Sequence, residues 1–382
     1  MRGLALVILL LMLAGCSAGL PPLPPQTRPD MQSDEAGFWQ LAEKAETALR
    51  RAPTLIRDPD LNRYVRDVAC KVAGPYCPDI RVYLVRAPGL NAGMQANGAM
   101  LIQSGLLLRL RDEAQLAAII GHELGHYVER HLADKAWRAR VGSDILAWVT
   151  VLGQGVSLRE PNAAAALLAE LQLRAFSRGQ EQAADAFGLQ RMAAAGYAPI
   201  AAVEIWQSAA VELGDRRASV VNRLLATHPA PAARRDGLLE EIAALPVQPE
   251  ARSYVRYQAA LAPHRAAFLA DEVRLRLPTE TLRLFQQLEE QHGLDADLAF
   301  YRGEVHRLRG WQDDQHLALR SYAEALRLPQ SPAAAHRSIG LISRAQGDWQ
   351  RARAAFVRYL ISEPDAPDAA MVRAYIAGMT GS

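Results

Sequence analysis

Two histidines four residues apart with a glutamate beside the first, His122-Glu123-Leu124-Gly125-His126, are the residues of this chain best spaced for chemistry. On a helix, positions i and i+4 share one face a turn apart, so both imidazoles can grip a single Zn²⁺ from the same side. Glu123 then faces the open metal position, where a carboxylate can take a proton from an activated water and pass it to a leaving amine. That is the chemistry of peptide-bond hydrolysis. It needs a helix, and the flanks predict one. Asp112 is a good N-cap with Gln115 three residues on, and Leu116, Ile119, Ile120, Leu124, Val128 and Leu132 recur at three-to-four spacing.

A catalytic zinc takes three protein ligands and a water. The arrangement with His-x-x-Gly-x-x-His directly downstream is excluded, because Glu129 stands at the glycine position and Leu132 at the histidine position. The remaining source is a glutamate on a separate helix. Glu181 and Asp185 lie four apart on a segment that reads as helical through Met192 and stops at Gly196. One carboxylate can ligate the metal, and the other can accept the spare ring N–H of a ligating histidine. Glu160 and Glu170 compete as ligands, but neither has a carboxylate one turn later.

The strings Asn91-Ala92 through Gly98, Ser104-Gly105-Leu106-Leu107, Asp112 through Ala117, and His122 through His126 resemble the zinc endopeptidases that include the CAAX prenyl protease and the periplasmic β-barrel assembly-enhancing protease. Ser177-Arg178 with Glu181 and Asp185, Ala195-Gly196-Tyr197 with Pro199, and Thr227-His228-Pro229 with Arg234 extend the resemblance over about residues 35 to 240. It implies His122, His126 and Glu181 as zinc ligands, Glu123 as general base and Asp185 as partner of a ligating histidine. It also implies that His228 lies close to the metal, where it either steadies the oxyanion of the reaction or occupies the fourth position and holds the enzyme latent. Asn91 and Arg234 are candidates for substrate or oxyanion contact, with pairing to an active-site acid as the alternative for Arg234.

Met1-Arg2 followed by an apolar run from Leu4 to Ala14 has the shape of a secretory signal. It ends in Leu13-Ala14-Gly15-Cys16, which resembles a bacterial lipoprotein signal and implies acylation of Cys16 after removal of residues 1–15. Several acyl chains make a stable anchor. Ser17 after the cysteine favours the outer membrane. Pro21, Pro22, Pro24, Pro25 and Pro29 predict an extended tether over residues 16–34. Outside the cytoplasm the remaining pair, Cys70 and Cys77, most simply forms a disulfide.

With 382 residues, half of them hydrophobic, the chain can bury a sizeable core, and a net charge of +2 does not call for nucleic acid as a partner. Helical periodicity dominates. Strands are expected at Ile80 to Arg86 and at Ala99 to Gln103, the latter with a free edge able to pair an extended substrate. The expected class is α+β, predominantly helical: a zincin-like domain with a small sheet at 35–245, then a helical repeat domain at 246–382. The apolar segment 145–156 reads as a helix covering the cleft. Between residues 296 and 364 a tetratricopeptide-like pattern recurs, with Ala318, Tyr322 and Ala325 matched 34 positions on and Gly303 and Gly310 matched 37 positions on. Trp311, Trp349 and nearby arginines are candidates for its binding face.

These readings converge on a lipid-anchored zinc endopeptidase of the bacterial periplasm. Its expected substrates are unfolded or misassembled envelope proteins, and the repeats would recruit them or the outer-membrane assembly machinery. The alternative is a chaperone or assembly factor with a latent or structural zinc site.

Overall fold

The computed structural model describes residues 20–30, 32–135, 176–213, 228, 231–246 and 248–379. Cys16, the apolar segment 145–156, and the competing Glu160 and Glu170 lie outside the described residues. Helices α1 (Asp34–Arg51) and α2 (Pro59–Ala73) lead through a 3₁₀ turn (Gly74–Asp79) into strands β1 (Arg81–Val85), β2 (Ala92–Met94) and β3 (Ala99–Gln103). Then come α3 (Ser104–Arg109), α4 (Glu113–Val128), α5 (Arg178–Ala194), α6 (Ile200–Leu213) and α7 (Pro231–Ala244). The fold is predominantly helical with one small sheet, as expected.

The sheet has the order β1-β3-β2, with β1 parallel and β2 antiparallel to β3. Register is set by Leu84 opposite Ile102 on one side and Gly93 opposite Leu101 on the other. This corrects one expectation. β3 is the central strand, so its backbone is paired on both sides; β1 and β2 are the edges, β1 being bridged on its outer side at Leu55 and β2 having no strand partner there among the described residues. Short sequences show alternation but not sheet order, which depends on β2, a strand of three residues too brief to announce itself. The turn after β2 needs Gly98, whose φ is +86° and where a Cβ would sit 2.2 Å from the Asp79 carbonyl oxygen.

Helix α4 begins as the sequence predicts, with the Asp112 carboxylate accepting the Gln115 N–H at 3.0 Å. It is buried along its entire length, from Glu113 to Val128, rather than on one face. Helices α2, α5 and α6 and strand β2 pack around it. Its polar residues therefore need partners. Glu113 accepts from the hydroxyls of Tyr64 at 2.9 Å and Tyr197 at 2.7 Å, while Arg256 stands 3.2 Å away. Burial and the neighbouring carboxylate push the Tyr64 and Tyr197 phenols well above their usual range, so both remain donors.

The part of the proline-rich stretch that is described lies on the domain instead of standing away from it. Leu23 is buried, its N–H donates to the Val128 carbonyl at 2.7 Å, and its own carbonyl accepts from the Tyr76 hydroxyl at 3.1 Å. Gln26 N–H donates to Asp79 Oδ2 at 2.8 Å and Arg130 donates to the Pro21 carbonyl at 3.2 Å; prolines have no N–H to satisfy, so one apolar anchor and these few bonds dock the segment. Cys70 and Cys77 form the expected disulfide, with their Cα atoms 4.7 Å apart.

Helices α8 (Tyr254–Arg274) and α9 (Pro278–His292) share the core of the preceding part of the chain, where Tyr257, Leu269, Leu284 and Phe285 are buried with Leu106, Leu107 and Ile205. A fully buried cation fixes this junction: Arg109 of α3 bonds Glu212 of α6 at 2.7 Å and Glu272 of α8 at 2.6 Å. Four further helices form two hairpins, α10 (Ala296–Arg309) with α11 (Asp314–Ala325) and α12 (Ala334–Ala345) with α13 (Trp349–Ser362), followed by α14 (Ala369–Gly378). Their equivalence is geometric. A Cβ at Gly303 would lie 2.5 Å from the Tyr322 ring and one at Gly340 2.5 Å from the Phe356 ring, while Gly310 and Gly347 close the first helix of each hairpin at φ +70° and +75°.

Candidate metal centre

Glycines bring α4 and α5 together. A Cβ at Gly121 would lie 2.9 Å from the Gly188 carbonyl oxygen, one at Gly188 would lie 2.8 Å from the His122 nitrogen, and one at Gly125 would lie 2.8 Å from the Ala184 Cα. Backbone therefore meets backbone where the helices cross. The first turn of α5, capped by Ser177 and Gln180 in a reciprocal pair of bonds, is then held against the two histidines.

The result is a buried cluster of His122, His126, Glu181 and His228, whose ligand atoms all lie within 4.8 Å of one another. His122 Nε2 is 3.0 Å from His126 Nε2 and 3.1 Å from His228 Nδ1. The Glu181 carboxylate oxygens lie 3.6 Å from His122 Nε2, 3.7 Å from His126 Nε2 and 2.9 Å from His228 Nδ1. Four ligands each about 2.1 Å from a tetrahedral zinc stand roughly 3.4 Å apart. The five distances run from 2.9 to 3.7 Å, close enough for one ion to bridge them, and three imidazoles with one carboxylate is a donor set that suits zinc. Glu123 supplies a second sign of fit. Its Oε1 is buried without a hydrogen-bond partner and lies 3.6 Å from His228 Nε2, so the carboxylate faces the cluster while leaving an oxygen free to act.

The protonation states agree. Burial, aided by the charges of His122 and His228, holds His126 well below the usual imidazole range, in the neutral form that ligates. Burial alone would raise the Glu181 carboxyl, but hydrogen bonding to His228 and the nearby His122 and Arg234 outweigh it and keep it below the usual range. Asp185 is likewise opposed by burial yet lowered to about 2 by His122 and Arg234. It accepts from His122 Nδ1 at 2.9 Å, the role that spacing suggested.

Arg234 lies inside this arrangement. Its Nε donates to Asp185 Oδ2 at 2.9 Å, a second nitrogen pairs with Asp185 Oδ1, and Nη1 stands 2.9 Å from Glu181 Oε2. The guanidinium rests 3.8 Å above the Trp206 ring. It thus pairs with the acids, the alternative left open for it. Asn91 makes no hydrogen bond to the cluster among the described residues; its carbonyl accepts the Gln103 N–H at 3.1 Å, tying the start of β2 to β3. Sequence reasoning did not find Trp206, nor His131, whose Nδ1 is 3.0 Å from His126 Nδ1, nor Phe176, stacked on His126 at 4.0 Å between ring centres. His131 carried a weak signal, a histidine just beyond the end of the zinc helix; Trp206 carried none.

Fold and site together define a zinc metallopeptidase of the type in which a separate helix supplies the glutamate. The sequence pattern of peptidase family M48 matches residues 55–242, which hold every residue of the cluster. Similar proteins include the beta-barrel assembly-enhancing protease of Yersinia pestis, 30% identical over 49% of this chain and 40% of the relative. That of Escherichia coli strain K12 is 27% identical over 54% and 45%. The mitochondrial metalloendopeptidase OMA1 of Arabidopsis thaliana is 33% identical over 39% and 28%. The chain thus spans less than half the length of the curated relatives it matches.

Proposed function

We propose that this protein is a zinc-dependent endopeptidase of the bacterial envelope that degrades misassembled envelope proteins, with its helical hairpins recruiting substrate or an assembly partner. The observation that carries the reading is the buried cluster of ligand atoms from His122, His126, Glu181 and His228, with an unpartnered Glu123 oxygen beside it. In this reading His122, His126 and Glu181 hold the metal. Zinc, when bound, polarises the scissile carbonyl and makes water nucleophilic near neutral pH. Glu123 accepts the proton of the attacking water and delivers it to the leaving nitrogen. Asp185 holds His122 in the tautomer that leaves Nε2 bare, and Arg234 balances the two carboxylates so that both stay ionised. Relatives named as beta-barrel assembly-enhancing proteases support the substrate class. No helix among the described residues is long and apolar enough to cross a membrane, which is compatible with a protein held at a bilayer through acylated Cys16.

His228 supports a finer point. Its Nδ1 sits among the ligand atoms, 3.1 Å from His122 Nε2 and 2.9 Å from Glu181, where a fourth ligand would stand. Four protein ligands close the sphere as in structural zinc sites, whereas catalytic sites keep one position open. We read this as the latent form, opened when His228 withdraws. The same closure favours the second reading, a chaperone with a silent site. Degradation of casein and of an unfolded outer-membrane protein by wild type, Glu123→Gln and His228→Ala, with zinc content determined, separates them. The peptidase reading expects about one zinc per chain in wild type and Glu123→Gln, hydrolysis abolished in Glu123→Gln, and a changed rate in His228→Ala. Equal zinc and no cleavage by any of the three would refute it.

A further inference from the structure

A histidine that binds a metal through one ring nitrogen must give the proton on the other to an acceptor, and that acceptor sets ring orientation and tautomer. For His122 the acceptor is Asp185. For His126 it is a second imidazole: His126 Nδ1 lies 3.0 Å from His131 Nδ1, with both rings buried and their centres 5.0 Å apart. Two ring nitrogens can bond only if one carries a hydrogen and the other does not. His126 Nε2 faces His122 Nε2 and Glu181 in the cluster and must be bare to ligate, so the proton of His126 is on Nδ1 and the bare nitrogen is His131 Nδ1.

The chain is bent to make this contact. Helix α4 ends at Val128, and Arg130 adopts a left-handed φ of +56°, which costs a non-glycine residue about 1 kcal/mol. Arg130 is pinned there by an ion pair with Glu35 of α1 and by donating Nη1 to the Pro21 carbonyl at 3.2 Å. The turn returns His131 to the Nδ1 edge of the His126 ring, five residues earlier, while Phe176 stacks on a face of that ring with centres 4.0 Å apart.

We infer that His131 is a positioning residue for the metal centre, a neutral hydrogen-bond acceptor that fixes His126 as the Nδ1–H tautomer with Nε2 directed into the ligand cluster. This rests on His126 being a ligand. The two ligating histidines are then supported unequally, His122 by a carboxylate locked to Arg234 and His126 by an uncharged ring that adds no further negative charge to a site already holding Glu123, Glu181 and Asp185.

The test is zinc affinity of the full chain, by competition with a chromophoric chelator, for wild type, His131→Phe, His131→Asn and His126→Ala. Losing an acceptor behind a ligating histidine typically weakens metal binding 10- to 100-fold. His131→Phe, which keeps the ring but removes the acceptor, should fall in that range without lowering the melting temperature of the metal-free protein. His131→Asn, which can accept through Oδ1, should recover most of the affinity. Should His131→Phe fail to fold, His131→Leu makes the same comparison against His131→Asn. Nitrogen-15 shifts of the zinc-bound protein should show hydrogen on His126 Nδ1 and none on His131 Nδ1. Wild-type affinity in His131→Phe, or a protonated His131 Nδ1, overturns the inference. If instead His126→Ala binds zinc as tightly as wild type, the ligand assignment beneath it has failed.

Discussion

The close crossing of α4 and α5 leads to a sharp prediction for Gly188→Ala. The substitution adds one methyl group far from solvent, and in most helices it would be favourable by about 1 kcal/mol. Here the new Cβ would stand 2.8 Å from both the Gly121 carbonyl carbon and the His122 nitrogen, whereas ordinary contact begins near 3.4 Å. The obstructing atoms are backbone within a helix, so no side chain can swing aside, and the helices must part by about 0.6 Å. Overpacking of this kind costs roughly 1–3 kcal/mol. The displacement also reaches the site, because Asp185 lies one turn before Gly188 and Glu181 two turns before it on the same helix. Zinc distances tolerate only about 0.2 Å. Gly188→Ala should therefore bind zinc on the order of 10-fold or more weakly and lose hydrolysis in proportion, while far-UV circular dichroism stays native. Chelator competition and a urea titration of the metal-free protein measure the two effects. Unchanged zinc affinity together with unchanged or increased stability would show that the helices do not meet as closely as argued.

Other consequences concern stability away from the metal. Arg109→Leu leaves the Glu212 and Glu272 carboxylates buried without their cation, and removal of one member of such a group costs about 3–5 kcal/mol; a loss below about 1 kcal/mol in urea unfolding would contradict the buried triad. Glu46 accepts from Arg81, Tyr83, Arg50 and Asn97, and although burial raises its carboxyl, the bonds from Arg81, Tyr83 and Arg50 hold it at about 2 against 4.5 when free. A depressed carboxyl stabilises the fold above pH 4.5 and loses that contribution as pH falls towards 2. With discounting for the half-exposed Arg50, wild type should lose on the order of 1 kcal/mol more than Glu46→Gln between pH 7 and pH 3. Parallel loss in the two proteins would exclude the linkage.

What was legible in the sequence follows from the range over which a pattern acts. His122, Glu123 and His126 are set by one helix, as are Glu181 and Asp185, so their spacing is readable within each element. The N-cap at Asp112 and the disulfide between Cys70 and Cys77 are equally local. Repeat equivalence was legible for the same reason, since Gly303 and Gly340 must each accommodate an aromatic ring in the facing helix. The order of three strands, by contrast, depends on which backbone reaches which, and period-two alternation in β3 does not say whether its edges are free. The docking of Leu23 against Val128 joins residues more than 100 positions apart and had no signature beyond one leucine among prolines.

Within the site the divide runs between atoms and frames. Residue types foretold which atoms would be offered to a metal, because few side chains can do that work. They did not foretell what would hold those side chains still. Gly121, Gly125 and Gly188 read as helix-weakening residues and Ala184 as a plain helix former by propensity, yet each is where two backbones touch, and that contact places Glu181 opposite His122. Trp206 reads as core, and only its position beneath Arg234 relates it to the acids. His131 became intelligible once the left-handed turn at Arg130 was seen to aim it backwards along the chain. A metal motif is thus read from donors, while its affinity is set by residues that donate nothing. Substitutions among these framing residues should weaken zinc binding even though every ligand remains in place.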